Sequence, residues 1–169
     1  MIRASLGVAA LAAAVPAAAQ DPADGSCAIG SGPTVRVNVT GLKDRIGRLK
    51  VELYPATEAD FLKDDRDLRR EGKQFRRIWA PTPKNGAVSL CIRAPHAGTW
   101  ALLFTHDRDG KNKFNFWRDG AGFPSNQRLG RSRPQLDQAR MQVPAGGATV
   151  TVRAQYLRGL SGFAPHSGN

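Results

Sequence analysis

Three runs of this chain alternate apolar and polar residues with a period of two. They are Val35, Val37 and Val39, then Leu49, Val51 and Leu53, and later Val150, Val152 and Ala154. That period sends every second side chain to one face, the signature of a strand buried on one side only. Such strands are stable only when the apolar face meets a second layer, so the pattern already demands a packed sheet. Further strand signals lie at Phe75–Trp79, Ala87–Arg93, Thr99–Thr105 and around Ala139, Met141 and Val143, with Pro- and Gly-rich turns between them. The run Trp100-Ala101-Leu102-Leu103-Phe104 is apolar throughout, as a central strand covered on both faces would be. Six or seven short strands of this kind predict an all-β fold, an antiparallel β-sandwich.

Two local features complete the outline. The turn Gly41-Leu42-Lys43-Asp44-Arg45-Ile46-Gly47 has glycine at both ends and predicts a hairpin joining the first two strands. Thr57, followed by Glu58 and Asp60, can cap one short surface helix near 57–70, with Phe61, Leu62 and Leu68 as its thin apolar face. The tail Tyr156–Phe163 is apolar enough to pack on the sandwich or on a partner.

Export is expected from the N-terminus. Arg3 precedes an apolar run, Leu6 to Val15, too short to span a bilayer, and Ala17-Ala18-Ala19 offers small residues for cleavage. The expected organisation is a signal peptide at 1–19 and a single β-sandwich domain at 20–169, periplasmic or extracellular and not membrane-spanning. The chain carries 25 Lys+Arg against 14 Asp+Glu, and loss of Arg3 leaves a net charge of +10. In an oxidising compartment the two cysteines, Cys27 and Cys91, are expected to pair. A loop of that span would contribute ~4 kcal/mol in the chain-entropy account. Two unpaired thiols or a metal pair is the competing reading, and the absence of Cys-x-x-Cys spacing or an adjacent histidine speaks against metal.

Chemistry-bearing residues concentrate between His106 and Gly120. Asp107, Asp109 and Asn115 stand at the first, third and ninth positions of an acidic calcium loop, and Asp119 lies just beyond the twelfth. Lys111, Asn112 and Arg118 occupy positions where an oxygen, a glycine and a bidentate glutamate belong. The expectation is therefore no cofactor and no metal, with Lys111 or Arg108 acting as an internal cation among the carboxylates. Calcium on Asp107, Asp109, Asn115 and Asp119 is the alternative. His106 beside Asp107 could act as a general base, but no nucleophile motif or phosphate loop accompanies it. A hydrogen-bonding latch at a strand end is the preferred role.

Several motifs together resemble the bacterial exported proteins grouped as domain of unknown function 2141. They are the Gly41-Leu42 turn, Gly98-Thr99-Trp100-Ala101, His106-Asp107, and Gly122-Phe123-Pro124-Ser125-Asn126, spanning Val35 to about Leu157. The resemblance implies an immunoglobulin- or transthyretin-like sandwich with no established catalysis. The family loop after His-Asp is richer in Asn and Asp, and this chain departs from it at Lys111, Asn112 and Asn115.

Basic residues Arg66, Arg69, Arg70, Arg76, Arg77, Arg128, Arg131 and Arg133, with aromatics Trp79, Phe114, Phe116 and Trp117, suit an anionic partner. For an exported chain that partner is an envelope glycan, lipopolysaccharide or lipid head group rather than nucleic acid. The functional expectation is a non-catalytic, envelope-associated binding module. Its binding loop comprises His106, Asp107, Asp109, Lys111, Asn115, Trp117 and Asp119, with Phe114, Phe116 and Trp117 read as plugs beneath the loop. A calcium-stabilised adhesion module is the alternative, and a small hydrolase using His106 and Asp107 the third reading.

Overall fold

The computed structural model describes residues 32–166, in which two sheets face each other. The strands are β1 (Thr34–Thr40), β2 (Arg48–Pro55), β3 (Arg76–Pro81), β4 (Val88–Arg93), β5 (Gly98–Asp107), β6 (Gly120–Gly122), β7 (Arg140–Val143), β8 (Ala148–Arg153), β9 (Gln155–Leu157) and β10 (Phe163–Pro165). Two short helices, α1 (Asp65–Arg70) and α2 (Leu136–Ala139), complete the set. The smaller sheet runs β4-β1-β8; the larger runs β10-β9-β6-β5-β2-β3, with β7 also on β5. The fold is thus the all-β sandwich expected, with more strands because short ones at 120–122, 155–157 and 163–165 carry too few residues to show a period. The expected signal peptide lies outside the described residues. No helix among those described is long and apolar enough to cross a membrane.

The first hairpin does not form. β1 pairs antiparallel with β4 and parallel with β8, whereas β2 pairs with β3 and β5. The 41–47 turn therefore crosses from one sheet to the other, and Val35, Val37 and Val39 join Leu49, Val51 and Leu53 in one core instead of sharing a ladder. Two adjacent strands with the same inward period satisfy burial equally well by pairing or by facing, and only the distant strands β4, β5 and β8 decide between the two.

β5 is the central strand. β2 covers one edge along Arg48–Pro55, while β6 and β7 share the other, opposite 104–106 and 98–101. Its inward residues Trp100, Leu102 and Phe104 enter the main core. On the outer face, Ala101 packs with Tyr54, Phe61, Leu68 and Leu136 under the two helices. The helix near 57–70 begins only at Asp65, capped by Asp64, whose carboxylate accepts the Arg66 amide. Thr57 instead closes a turn, accepting the Asp60 N–H at 3.2 Å, and Leu62 has φ +62, which ends any helix before it. The apolar tail packs back on the domain through β9, a 3₁₀ turn at Gly159–Ser161 and β10.

Candidate functional site

β5 ends at His106 and Asp107, and the chain returns as β6 at Gly120, so the intervening loop is anchored at both ends by a ladder that pairs His106 with Gly120. Inside it, short side chains do the work of backbone partners. Asp119, buried, accepts the amides of Arg108 (2.9 Å) and Asn115 (2.7 Å), one on each oxygen. Asp107, also buried, accepts the Asn112 amide at 3.1 Å, and Asp109 accepts that of Lys111 at 3.2 Å. Asn115 donates its side-chain amide to Asp109 at 3.0 Å and accepts the Trp117 N–H at 3.1 Å. The bonds at Asp109 and Asn115 to the amides two residues on are Asx turns, and with the longer-range bonds of Asp107 and Asp119 they substitute for strand ladders in an irregular segment. Asn112 takes φ +59, a left-handed conformation asparagine tolerates well. The Asn115 hydrogen bond holds the Asp109 carboxyl below its usual range.

The loop thus brings together the residues expected of it. Asp107, Asp109 and Asp119 each offer an oxygen within 4.8 Å of the others, a spacing compatible with a cation about 2.4 Å from each. Asp107 Oδ1 is buried and has no hydrogen-bond partner. The internal cation is neither Lys111 nor Arg108. Lys111 is exposed, and Arg108 turns away to bind the Asp44 carboxylate and the Arg118 carbonyl. Asp107 meets Arg48 instead, Nε to Oδ2 at 3.0 Å, and Arg48 also donates to the Gly110 carbonyl at 2.8 Å. Arg48 stands opposite Asp107 in the β2–β5 register, so the pair is set by strand alignment across 59 residues and leaves no local trace.

His106 does serve as a latch, although for the 41–47 turn. Its ring is fully buried, with Nε2 2.7 Å from the Ile46 carbonyl and Nδ1 2.7 Å from the Tyr156 hydroxyl. A carbonyl can only accept, so Nε2 carries the proton and Nδ1 accepts from Tyr156. The same hydroxyl accepts the Lys43 N–H at 3.1 Å. Burial lowers the His106 pKa and pushes Tyr156 up to about 12, so both stay neutral. With both ring nitrogens occupied, this histidine has no free site from which to take a substrate proton. Arg108 with Asp44 fastens the turn from the other side; burial raises the Asp44 pKa, but the Arg108 hydrogen bond, the Ile46 amide and the Arg108 charge together outweigh it and the carboxyl ends below its usual range. Tyr156, Arg48 and Asp44 escaped the sequence reading, and none stands in a motif.

The aromatics are not plugs. Trp117 is 79% exposed, Phe116 45% and Phe114 43%. Phe116 meets Phe163 edge-on at 5.0 Å and Phe114 meets it at 5.9 Å. The loop carboxylates occupy its interior, which leaves the apolar side chains outside. Lys111, Lys113 and Arg118 are exposed on the same loop.

The basic set divides into two. Around α1, Arg66 pairs with Asp64, Arg69 with Asp65 and Arg70 with Asp67, while Arg77 binds the buried Glu52 at 2.7 Å. Arg76, on β3, is exposed. Arg128 and Arg131 donate to the carbonyls of Ser161 (3.0 Å) and Leu160 (2.8 Å), and Arg133 to that of Leu62 (3.4 Å). This second group, like Arg76, meets no carboxylate among the described residues. Cys91 is buried in β4, and Cys27 lies outside the described residues.

The family model for DUF2141, described as an uncharacterized protein conserved in bacteria, matches residues 37–151. No curated protein and no solved structure matches the chain.

Proposed function

Starting from a chain that belongs to the DUF2141 family of uncharacterised bacterial proteins, we propose an exported, non-catalytic binding module. It presents the 106–126 loop and the adjoining Arg128, Arg131 and Arg133 to an anionic envelope component. One observation carries this reading: Trp117 stands 79% exposed on a loop whose backbone is pinned by Asp107, Asp109, Asn115 and Asp119. An exposed tryptophan on a pinned backbone offers a large apolar surface for burial against a partner with little further backbone ordering. Lys111, Lys113 and Arg118 beside it supply the charge for phosphate or carboxylate groups. The absence of catalysis in this proposal is supported by the occupied, neutral His106. The test is retention of purified protein on immobilised lipopolysaccharide, on an acidic glycan and on phosphatidylglycerol vesicles, across a salt series. Binding to at least one that falls with salt and is lost in Trp117→Ala is expected. No retention on any of them at low salt overturns the proposal.

A second reading is favoured by the orphaned Oδ1 of Asp107. Asp107, Asp109 and Asp119 would hold calcium through carboxylate oxygens, stiffening the same loop. Arg48 on Asp107 opposes this by cancelling part of the charge. Calcium should then raise the thermal midpoint, by about 2.7 kcal/mol of stability at a hundredfold excess over Kd, and Asp119→Asn should remove the rise. A midpoint indifferent to calcium and to chelator excludes the metal.

A further inference from the structure

The outer face of the larger sheet carries a cavity of about 490 Å³ between the 106–120 loop and the segment that precedes α2. Its size falls within the ~300–1,000 Å³ of small-molecule sites, enough for one chain or ring system. Leu103 of β5 and Phe163 of β10 contribute apolar lining, as do Leu129, Phe114 and Phe116. The polar lining is sparse. Lys50 and Glu52 of β2 point to this outer face because Leu49, Val51 and Leu53 take the inner one.

The charges there are unbalanced. Buried Glu52 is shared by two cations, Lys50 at 3.2 Å and Arg77 at 2.7 Å, with Asp65 3.4 Å from Arg77 as a second acid. Arg131 and Arg133 also line the cavity, are exposed, and use one hydrogen bond each on a backbone carbonyl. Neither meets a carboxylate among the described residues. An apolar cavity that carries two uncompensated guanidinium groups complements a ligand with an apolar body and an anionic head.

We propose that this cavity binds a single-chain anionic amphiphile, a fatty-acid-like carboxylate whose chain lies against Leu103, Leu129 and Phe163 and whose head group is held by Arg131 and Arg133. The cavity shares Arg131 and Arg133 with the surface proposed above, but Trp117 is not among its lining residues.

Calorimetric titration of purified protein with decanoate, acetate and decyltrimethylammonium tests it. Decanoate saturates one site, while acetate, lacking the chain, and the ammonium, with the wrong charge, bind at least about tenfold more weakly. The double variant Arg131→Ala/Arg133→Ala, at two exposed positions, loses about tenfold in decanoate affinity, the value of one charge-assisted contact. Ala121→Leu narrows the cavity and weakens decanoate, with near-ultraviolet circular dichroism confirming a native fold. Trp117→Ala leaves decanoate affinity unchanged even if lipopolysaccharide retention is lost, which separates this site from the loop tip. Absence of saturable decanoate binding, equal binding of the cationic amphiphile, or an unaltered double variant overturns the proposal.

Discussion

Replacing Tyr156 with phenylalanine removes one oxygen and leaves the ring in place, so packing against Gly120 is retained. That contact is tight: a Cβ on Gly120 would come within 2.4 Å of the Tyr156 ring. The lost hydroxyl serves two partners. Lys43, an exposed residue, can turn its amide to water; His106 Nδ1 is fully buried and cannot. The cost is therefore that of one buried, unsatisfied acceptor, about 1–3 kcal/mol. For a domain of this size each kcal/mol lowers the thermal midpoint by about 2–4 °C, so a drop of roughly 4–8 °C is expected at the middle of that range. The loss should also ease protonation of His106, since the donor that favoured its neutral form is gone. Differential scanning calorimetry at pH 7.5 and pH 5.5 reads both effects: Tyr156→Phe is destabilised relative to the parent at the higher pH and less so at the lower, because a folded His106 pKa nearer the unfolded value loses less stability on acidification. A midpoint within about 1 °C of the parent at both pH values would refute the latch.

The lowered His106 pKa fixes the sign of a pH effect. Between the folded value and the unfolded value of about 6.5, the unfolded chain binds more protons, so stability falls as pH drops through that window. The slope contributed is at most about 1.4 kcal/mol per pH unit, and His106→Gln should flatten it in denaturant titrations. Gly120→Ala should cost about 1–3 kcal/mol, the range of overpacking, because its methyl meets the Tyr156 ring; an unchanged midpoint contradicts that packing. The expected Cys27–Cys91 pair predicts one cross-linked peptide in a non-reducing digest, and its absence from exported protein removes the disulfide.

The strands with a clear period were legible from residues alone because burial on one face is a local constraint. Val35, Val37 and Val39 could announce a buried face without disclosing which layer it would meet, which is why the hairpin with β2 fails. The loop shows the same division. Its carboxylates and amides were readable as a cluster, since Asx turns act within a few residues. Their cation was not, because Arg48 reaches Asp107 only through the register of two strands. Clustered aromatics suggested a buried plug, yet the carboxylates fill the loop interior and Trp117 is left outside. The cavity had no sequence signature, being assembled from β2, β5, β6, β10 and three irregular segments between them.

The most direct test of the binding account is retention of the protein on immobilised lipopolysaccharide as salt rises from low to physiological concentration, compared with Trp117→Ala. The account predicts retention that weakens steeply with salt, as charge contacts are screened, and that the variant fails to bind while keeping its thermal midpoint. A variant retained as well as the parent would contradict the role given to the loop.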